Sequence, residues 1–578
     1  MTNLFDHLVF LYGEEQAPKL ISRVEKLIAD YRTRISARDG ELTERDSILI
    51  TYADQVQSQN EKPLQTLGAF CKQYLKDVIS GIHILPFYPW TSDDGFSVVN
   101  YRQIDPALGD WDDVSSMRSH FRMMFDGVIN HVSSQSEWFK GFLRDDPRYR
   151  NYFMTVDGEP DLSQVVRPRA LPLLTSFKTA SGEKRVWTTF SDDQIDLNYQ
   201  NPEVLLEILD ILLMYIVCGA TFIRLDAIAY MWKEIGTTCI HLPQTHHVIQ
   251  FLRAALNEVT PHVHLITETN VPHTHNISYF GDGTNEAQLV YNFALPPLTL
   301  HTFHTGDARI LSDWAKRLTV PSGKTTFFNF LASHDGIGLN PARGILSNAD
   351  IDSLVKKTLA HGGLISYKKN SDGSQSPYEM NINYFDALSN PNGNEPLDLQ
   401  IDRFIAAQAI MLSLVGVPGI YFHSLFGSRG WLEGVKHTGR NRTINREKCQ
   451  LDKLQNELAD KDSLRARVFT RYRQLLLARS SSSAFQPHGA QRVLDLGEVI
   501  FALVRRSPTG NQHVLCLQSV STEIQTVKVD FEGVFGLEPR GGWLLDLIQG
   551  KRFNIRRKTP LHLRPYQTLW LTREKKSK

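Results

Sequence analysis

The chain has 578 residues, 42% hydrophobic and 22% charged, with 63 basic and 63 acidic side chains. Zero formal charge removes any bulk attraction for nucleic acid or an anionic membrane, and the length calls for several cores or one large barrel with additions. The five cysteines (Cys71, Cys218, Cys239, Cys449, Cys516) have no zinc-type spacing and are odd in number, which argues against a disulfide framework and fits a reducing cytoplasm.

The N-terminus lacks a basic stretch leading into an apolar run, so no secretion signal is expected. Within residues 1–45, Leu20, Ile21, Val24, Leu27, Ile28, Tyr31 and Ile35 recur at three- and four-residue steps. That spacing predicts a packed helical extension. Ile48–Ala53 is the first buried strand, Ile82–Pro86 the second and Phe125–Asn130 the third. The apolar run Val204–Ile223 has the length of a membrane span. It holds Glu207 and Asp210, however, and Gly219 breaks it. It reads as a buried helix, started by Asn201-Pro202-Glu203, running into a fourth strand, Thr221–Asp226. Val263–Thr267, Leu289–Phe293, Phe328–Ala332 and Gly419–Phe422 complete eight strands alternating with helices. This is the pattern of an α/β (β/α)8 TIM barrel spanning 46–486. Two stretches interrupt it: an irregular insertion, 132–196, and a loop rich in Gly, Ser, Asn and Asp, 361–400. From 487 to 578 the pattern predicts an antiparallel β domain. It contains a hairpin of Val499–Val504 with His513–Leu517, another strand over Leu561–Leu571, and a frayed tail at Lys575–Lys578.

Four of the strand ends carry polar residues: Asp126 with Asn130 and His131; Arg224 and Asp226; Glu268; and His334 with Asp335. In a strand, Arg224 and Asp226 project from one face. Alone, that pair reads equally as a structural ion pair or as a catalytic one. Carboxylates and histidines at the same end of several barrel strands converge on one pocket. Paired carboxylates without a metal cluster suit glycoside chemistry, and a retaining route needs them about 5–5.5 Å apart. Arg224 is expected to lower the pKa of Asp226, and burial to raise that of Glu268.

These four stretches resemble the four short motifs of the alpha-amylase superfamily, glycoside hydrolase family 13. Leu49–Asp54, Ile82–Phe87, Asp93–Phe96, Arg167-Pro-Arg169 and Ile444-Asn-Arg446 are similar to its sucrose-phosphorylase-like branch. The resemblance implies Asp226 as nucleophile, Glu268 as acid/base and Asp335 as the third carboxylate. It implies His131 and His334 on the sugar hydroxyls and Arg224 orienting Asp226. Asp93 and Arg442 would close the blind end of the glucose site, with Phe96 and Tyr230 as apolar platforms and Gln194 on the wall. Arg169, Tyr378 and Glu379 would shape the acceptor site; sucrose phosphorylases carry glutamine where Glu379 stands. The N-terminal extension, Trp90–Phe96, Arg167–Leu174 and Tyr378–Asn381 look most like the members that split 2-O-α-D-glucosyl-D-glycerate with phosphate. The implied enzyme is a cytoplasmic monomer or homodimer acting on a sugar and inorganic phosphate. It has no metal, cofactor, nucleic-acid or membrane partner. Other acceptors (sucrose, sucrose 6-phosphate, glucosylglycerol), an α-glucosidase or transglucosidase, and an inactive sugar-binding relative are the alternatives.

Overall fold

The computed structural model describes residues 2–35, 40–169, 171–370, 373–536, 542–556 and 559–573. The expected tail at Lys575–Lys578 lies outside them. Eight parallel strands close a barrel: β1 Ile48–Thr51, β2 Gly81–Ile84, β3 Arg122–Gly127, β4 Ala220–Leu225, β5 His264–Thr267, β6 Leu289–Tyr291, β7 Thr326–Asn329 and β8 Val417–Tyr421. Each pairs with its sequence neighbours, and β8 returns to β1. Helices cover the outside, so the strands are buried on both faces and read as near-continuous apolar runs. The helix Pro202–Val217 begins where expected, with the Asn201 side chain accepting from the Glu203 N–H. Among the described residues, no helix is long and apolar enough to cross a membrane.

The N-terminal extension is two helices, Thr2–Tyr12 and Ala17–Arg32, with Leu20, Val24, Ile28 and Tyr31 turned inward. Tyr31 donates to Asp210 at 2.8 Å, and Phe10 stacks on His247 at 3.6 Å between ring centres. Ile35 lies past the helix end.

The first inserted stretch is more ordered than its sequence implies. Thr155–Val156, Gly182–Trp187 and Leu174–Thr179 form an antiparallel sheet, and His131–Ser133 pairs with Gln194–Asp196. The connection after β7 also builds a sheet, from Ile337–Gly338, Gln375–Asn381 and Leu364–Lys369.

At the C-terminus six antiparallel strands run in the order Ala490–Leu494, Ile500–Arg506, His513–Ser519, Thr568–Arg573, Gly542–Asp546, Arg552–Ile555. Alternation serves two cores. Phe501, Leu503, Cys516 and Trp570 pack with the barrel, while Ala502, Leu515, Leu517 and Leu571 form a separate cluster on the other face. The expected strand over Leu561–Leu571 is two strands, Pro560–Leu563 and Thr568–Arg573. Tyr566, with φ 50°, sits in the turn between them.

Candidate active site

Sheet register brings the first charges together. Arg224 on β4 lies opposite Asp126 on β3, and the two buried side chains are ion-paired. Asp126 also accepts from His83 on β2 at 2.6 Å. Burial pulls His83 below its ordinary pKa, so it is neutral and carries its proton on Nε2. Arg224 Nη1 reaches Asp226 Oδ1 at 2.9 Å, and its Nη2 stands 3.9 Å from Glu268 Oε1. One planar guanidinium thus ties the carboxylate of β3 to those at the ends of β4 and β5. The chain turns sharply after Asp226: Ala227 has φ 50°, and its N–H donates to Glu268 Oε2 at 3.1 Å.

Asp335, past β7, is held from another side. Arg442 Nη1 meets its Oδ1 at 2.5 Å. Asn445 donates to the carbonyls of Ser333 and Asp335 at 3.0 and 2.9 Å, and Arg446 Nε donates to that of His334 at 2.8 Å. The Ile444-Asn-Arg446 motif therefore staples the His334-Asp335 loop in place. Arg446 also pairs with Asp94 at 2.5 Å. Asp93, Asp94 and Gly95 have φ of 52°, 50° and 111°, a left-handed turn in which only the glycine is unstrained. A Cβ on Gly95 would meet the Pro86 carbonyl at 2.4 Å.

Burial dominates the electrostatics. It pushes Asp226 well above the usual carboxylate range, with Glu268 and Asp126 adding to it and Arg224 opposing. Arg224 does lower Asp226, as expected, but the arginine divides its charge between Asp126 and Asp226, and desolvation outweighs it. Burial likewise raises Glu268, as expected. It works in the same direction on Asp335, but Arg442, Arg446, Arg224 and Arg169 together pull that carboxyl below its ordinary value. His131 is kept neutral by burial. Its Nε2 faces the Phe96 carbonyl at 2.9 Å and so bears the proton, leaving Nδ1 to accept from Asn130 at 3.2 Å.

One cavity collects these groups. Asp93, Phe96, His131, Arg169, Gln194, Asp226, Tyr230, Glu268, His334, Asp335, Tyr378 and Arg442 all line it. Phe96 stacks on His334 with ring centres 4.7 Å apart. Two residues named from the sequence, Arg224 for orienting Asp226 and Glu379 for the acceptor site, do not line it. Arg224 is 2% exposed and contacts carboxylates, and Glu379 is 1% exposed and bonds to Arg442. Both are supports rather than surfaces. Arg167 bonds the Leu171 carbonyl within its own loop, while Arg169 reaches the cavity. Phe190, Thr269, Asn270 and Val271 also line the cavity without having been singled out. Phe190 lies 5.3 Å from the His131 ring and 5.5 Å from Tyr230. Its signal in the sequence was only closeness to Gln194. Asn270 follows Glu268 by two residues, the spacing that shares a face in extended chain.

The resemblance to the alpha-amylase superfamily, many of whose members bind calcium near the position of Asn130, makes that position the place to test for a metal. Here the Lys233 ammonium lies 3.0 Å from Asn130 Oδ1 and 2.7 Å from Asp196 Oδ2, all three residues being buried. An ammonium already bonded to those oxygens does not fit a dication beside it. Among the described residues, no group of three or more His, Cys, Asp or Glu is arranged to hold a metal.

A family model described as the alpha amylase catalytic domain matches residues 72–336. The chain is 50% identical over 569 residues to the glucosylglycerate phosphorylase of Allomeiothermus silvanus, covering 98% of each chain. It is 49% identical over 576 residues to that of Spirochaeta thermophila, covering 98% of this chain and 97% of the relative. The crystal structure of sucrose 6F-phosphate phosphorylase from Thermoanaerobacter thermosaccharolyticum superposes with a TM-score of 0.73 at 25% identity. It covers 89% of this chain and 99% of that one.

Proposed function

The chain belongs to the glucosylglycerate phosphorylase family of the alpha-amylase superfamily, and from that premise we propose that it reversibly phosphorolyses 2-O-α-D-glucosyl-D-glycerate to α-D-glucose 1-phosphate and D-glycerate. The observation that carries this reading is the near full-length identity to relatives of that name, joined to a cavity that holds Asp226, Glu268 and Asp335 together.

Asp226 and Glu268 share a desolvated site that favours keeping one proton between them. Arg224 approaches Asp226 to 2.9 Å and Glu268 only to 3.9 Å, so the proton rests on Glu268. Asp226 Oδ attacks the glucosyl carbon and the bond to the glycerate oxygen breaks. That oxygen takes the proton of Glu268. A phosphate oxygen then attacks the same carbon from the opposite side, the bond to Asp226 breaks, and the proton carried by the hydrogen phosphate passes to Glu268. Two inversions give net retention. Asp335, kept ionised by arginines, binds the sugar hydroxyls and favours the cationic transition state. His131, His334, Asp93, Arg442 and Gln194 hold the glucosyl group, with Phe96 and Tyr230 against its apolar faces. Arg169 beside Tyr378 receives the anion, first as a carboxylate and then as phosphate, because its planar fork pairs with both. Five free thiols support a reducing cytoplasm, where the enzyme acts as a monomer or homodimer.

The test supplies α-glucose 1-phosphate with D-glycerate, glycerol, fructose or fructose 6-phosphate and measures phosphate release. D-Glycerate should release it fastest. Free glucose at a rate indifferent to the acceptor would mark a hydrolase instead.

A further inference from the structure

Glu379 lies behind the cavity wall, yet both of its arginine partners stand on that wall. Arg442 gives its carboxylate two parallel bonds, Nε to Oε1 at 3.0 Å and Nη2 to Oε2 at 2.9 Å. Arg169 Nη1 stands 3.9 Å from the same Oε2. The far side of Arg442 holds Asp335. Asp335, Arg442, Glu379 and Arg169 therefore form one row of alternating charge. It starts at the carboxylate of the glucosyl site and ends on the acceptor side.

The row is anchored in the backbone. Glu379 sits in the central strand of its small sheet, opposite Gly338 on one side and Ser366 on the other. Its Oε1 also accepts the Gly336 N–H. A Cβ on Gly336 would come within 2.7 Å of that oxygen and 2.6 Å of the Met380 carbonyl, so the contact needs glycine. Arg169, by contrast, has in Glu379 a partner too distant for a hydrogen bond, and among the described residues this leaves its donors for an incoming anion.

We propose that Glu379 is a positioning residue that aims Arg169 and Arg442 together, so that the acceptor anion and the glucosyl group are set in register by one buried carboxylate. The proposal rests on the phosphorolysis reading above. It also accounts for a carboxylate rather than an amide. A glutamine offers one acceptor oxygen, so Arg442 loses one of its two bonds in either orientation; with the oxygen kept on the Gly336 N–H, the N–H2 faces Arg169 as well, donor against donor, and the charge that draws Arg169 is gone. The side chain itself touches no substrate. Selectivity for an acidic acceptor follows from where it holds Arg169.

The test compares wild type, Glu379→Gln, Arg169→Ala and the double variant, as full-length protein, with α-glucose 1-phosphate as donor. Two rates are read: kcat/KM for D-glycerate, and hydrolysis to free glucose without acceptor. Both reactions form the same glucosyl-enzyme from the same donor, so any loss in that step cancels in their ratio; what remains is capture by glycerate against capture by water, and only capture by glycerate uses the Arg169 side. In Glu379→Gln the ratio should fall about tenfold or more, through KM for glycerate. In the double variant it should fall no further than in Arg169→Ala. An unchanged ratio in Glu379→Gln, or losses that multiply in the double variant, would overturn the proposal. Should Glu379→Gln not fold, Arg169→Ala still decides: an unaltered KM for glycerate leaves Glu379 nothing to aim. Wild type that prefers a neutral acceptor over D-glycerate would instead refute the phosphorolysis reading on which the proposal stands.

Discussion

Arginines wholly or largely withdrawn from solvent occupy both ends of the barrel, and their partners differ. At the carboxyl ends of the strands Arg224 serves Asp126 and Asp226, and Arg442 serves Asp335 and Glu379. At the amino ends the partners are mostly backbone carbonyls. Arg479 donates to those of Glu44, Asp46, Gly416 and Phe485, tying the approaches to β1 and β8 to the C-terminal region. Arg505 donates to those of Ser413, Gln486 and Gly489, and Arg253 to that of Val263 and the side chain of Gln288. Burial draws Arg479 and Arg253 down to about 10 and Arg505 to about 9, which leaves all three charged at neutral pH. Neighbouring carboxylates overcome the same burial for Arg224 and Arg442 and hold them well above the ordinary arginine value. Neutral acceptors make an arginine a tie between chain segments. Anionic acceptors make it part of a field that sets where a proton sits.

The sharpest break between the two ends should come from Asp226→Asn. Phosphorolysis should drop by about four orders of magnitude or more, with melting temperature undiminished. Retained turnover would remove Asp226 from the chemistry. Next in size, Arg224→Lys keeps the charge but loses the fork that spans three carboxylates. A fall of about 100-fold in kcat/KM is expected. At the other end, Arg479→Met should act on stability alone. Orphaned carbonyls cost about 2–4 kcal/mol in denaturant melts, while kcat/KM of the remaining folded enzyme stays within about threefold. A larger kinetic loss would show that the two ends are not separable.

The smallest effect concerns pH. Asp226 and Glu268 are raised in the fold, so the stability they contribute is present below the ordinary carboxylate range and lost as pH rises through their folded values. Asp335 and Asp126 are lowered and act with the opposite sign, their share vanishing as the solution is acidified. Glu268→Gln should therefore melt about 1–2 °C higher than wild type at neutral pH and no higher near pH 4. The same substitution should abolish the alkaline limb of the phosphorolysis profile, which marks loss of the Glu268 proton. An alkaline limb that persists would assign it to another group.

Every barrel strand was legible as an apolar run, because burial on both faces leaves no alternation to interpret. Apolarity reports burial, though, not pairing. Val128 and Ile129 are fully buried but lie beyond β3, which ends at Gly127, so the third strand was expected about three residues too late. The sheet of the first insertion escaped notice because Gly182–Trp187 and Leu174–Thr179 are partly exposed and polar along much of their length. In the site, residues at strand ends were readable because the fold dictates where a strand end points. Glu379 could be named but its place behind the wall could not be read, and Arg224 could be set beside Asp226 without its second partner, Asp126. Whether a charged side chain forms the wall or stands behind it depends on partners such as Asp126 and Arg442, which are remote in sequence. Phe190 and the stapling role of Arg446 depend on such contacts too.

The left-handed turn at Asp93 and Asp94 has a bearing on how this enzyme would respond to selection. Two non-glycine residues there hold a conformation that costs each on the order of 1 kcal/mol or more. Asp94 recovers part of that through its ion pair with Arg446, whereas Asp93 is 3.7 Å from the same guanidinium and faces the cavity. Glycine at position 93 would relax the backbone and remove the carboxylate from the cavity at once. A library sorted by heat resistance should accept that change readily, and one sorted by turnover should discard it. The position is a place where durability and activity pull a lineage in opposite directions.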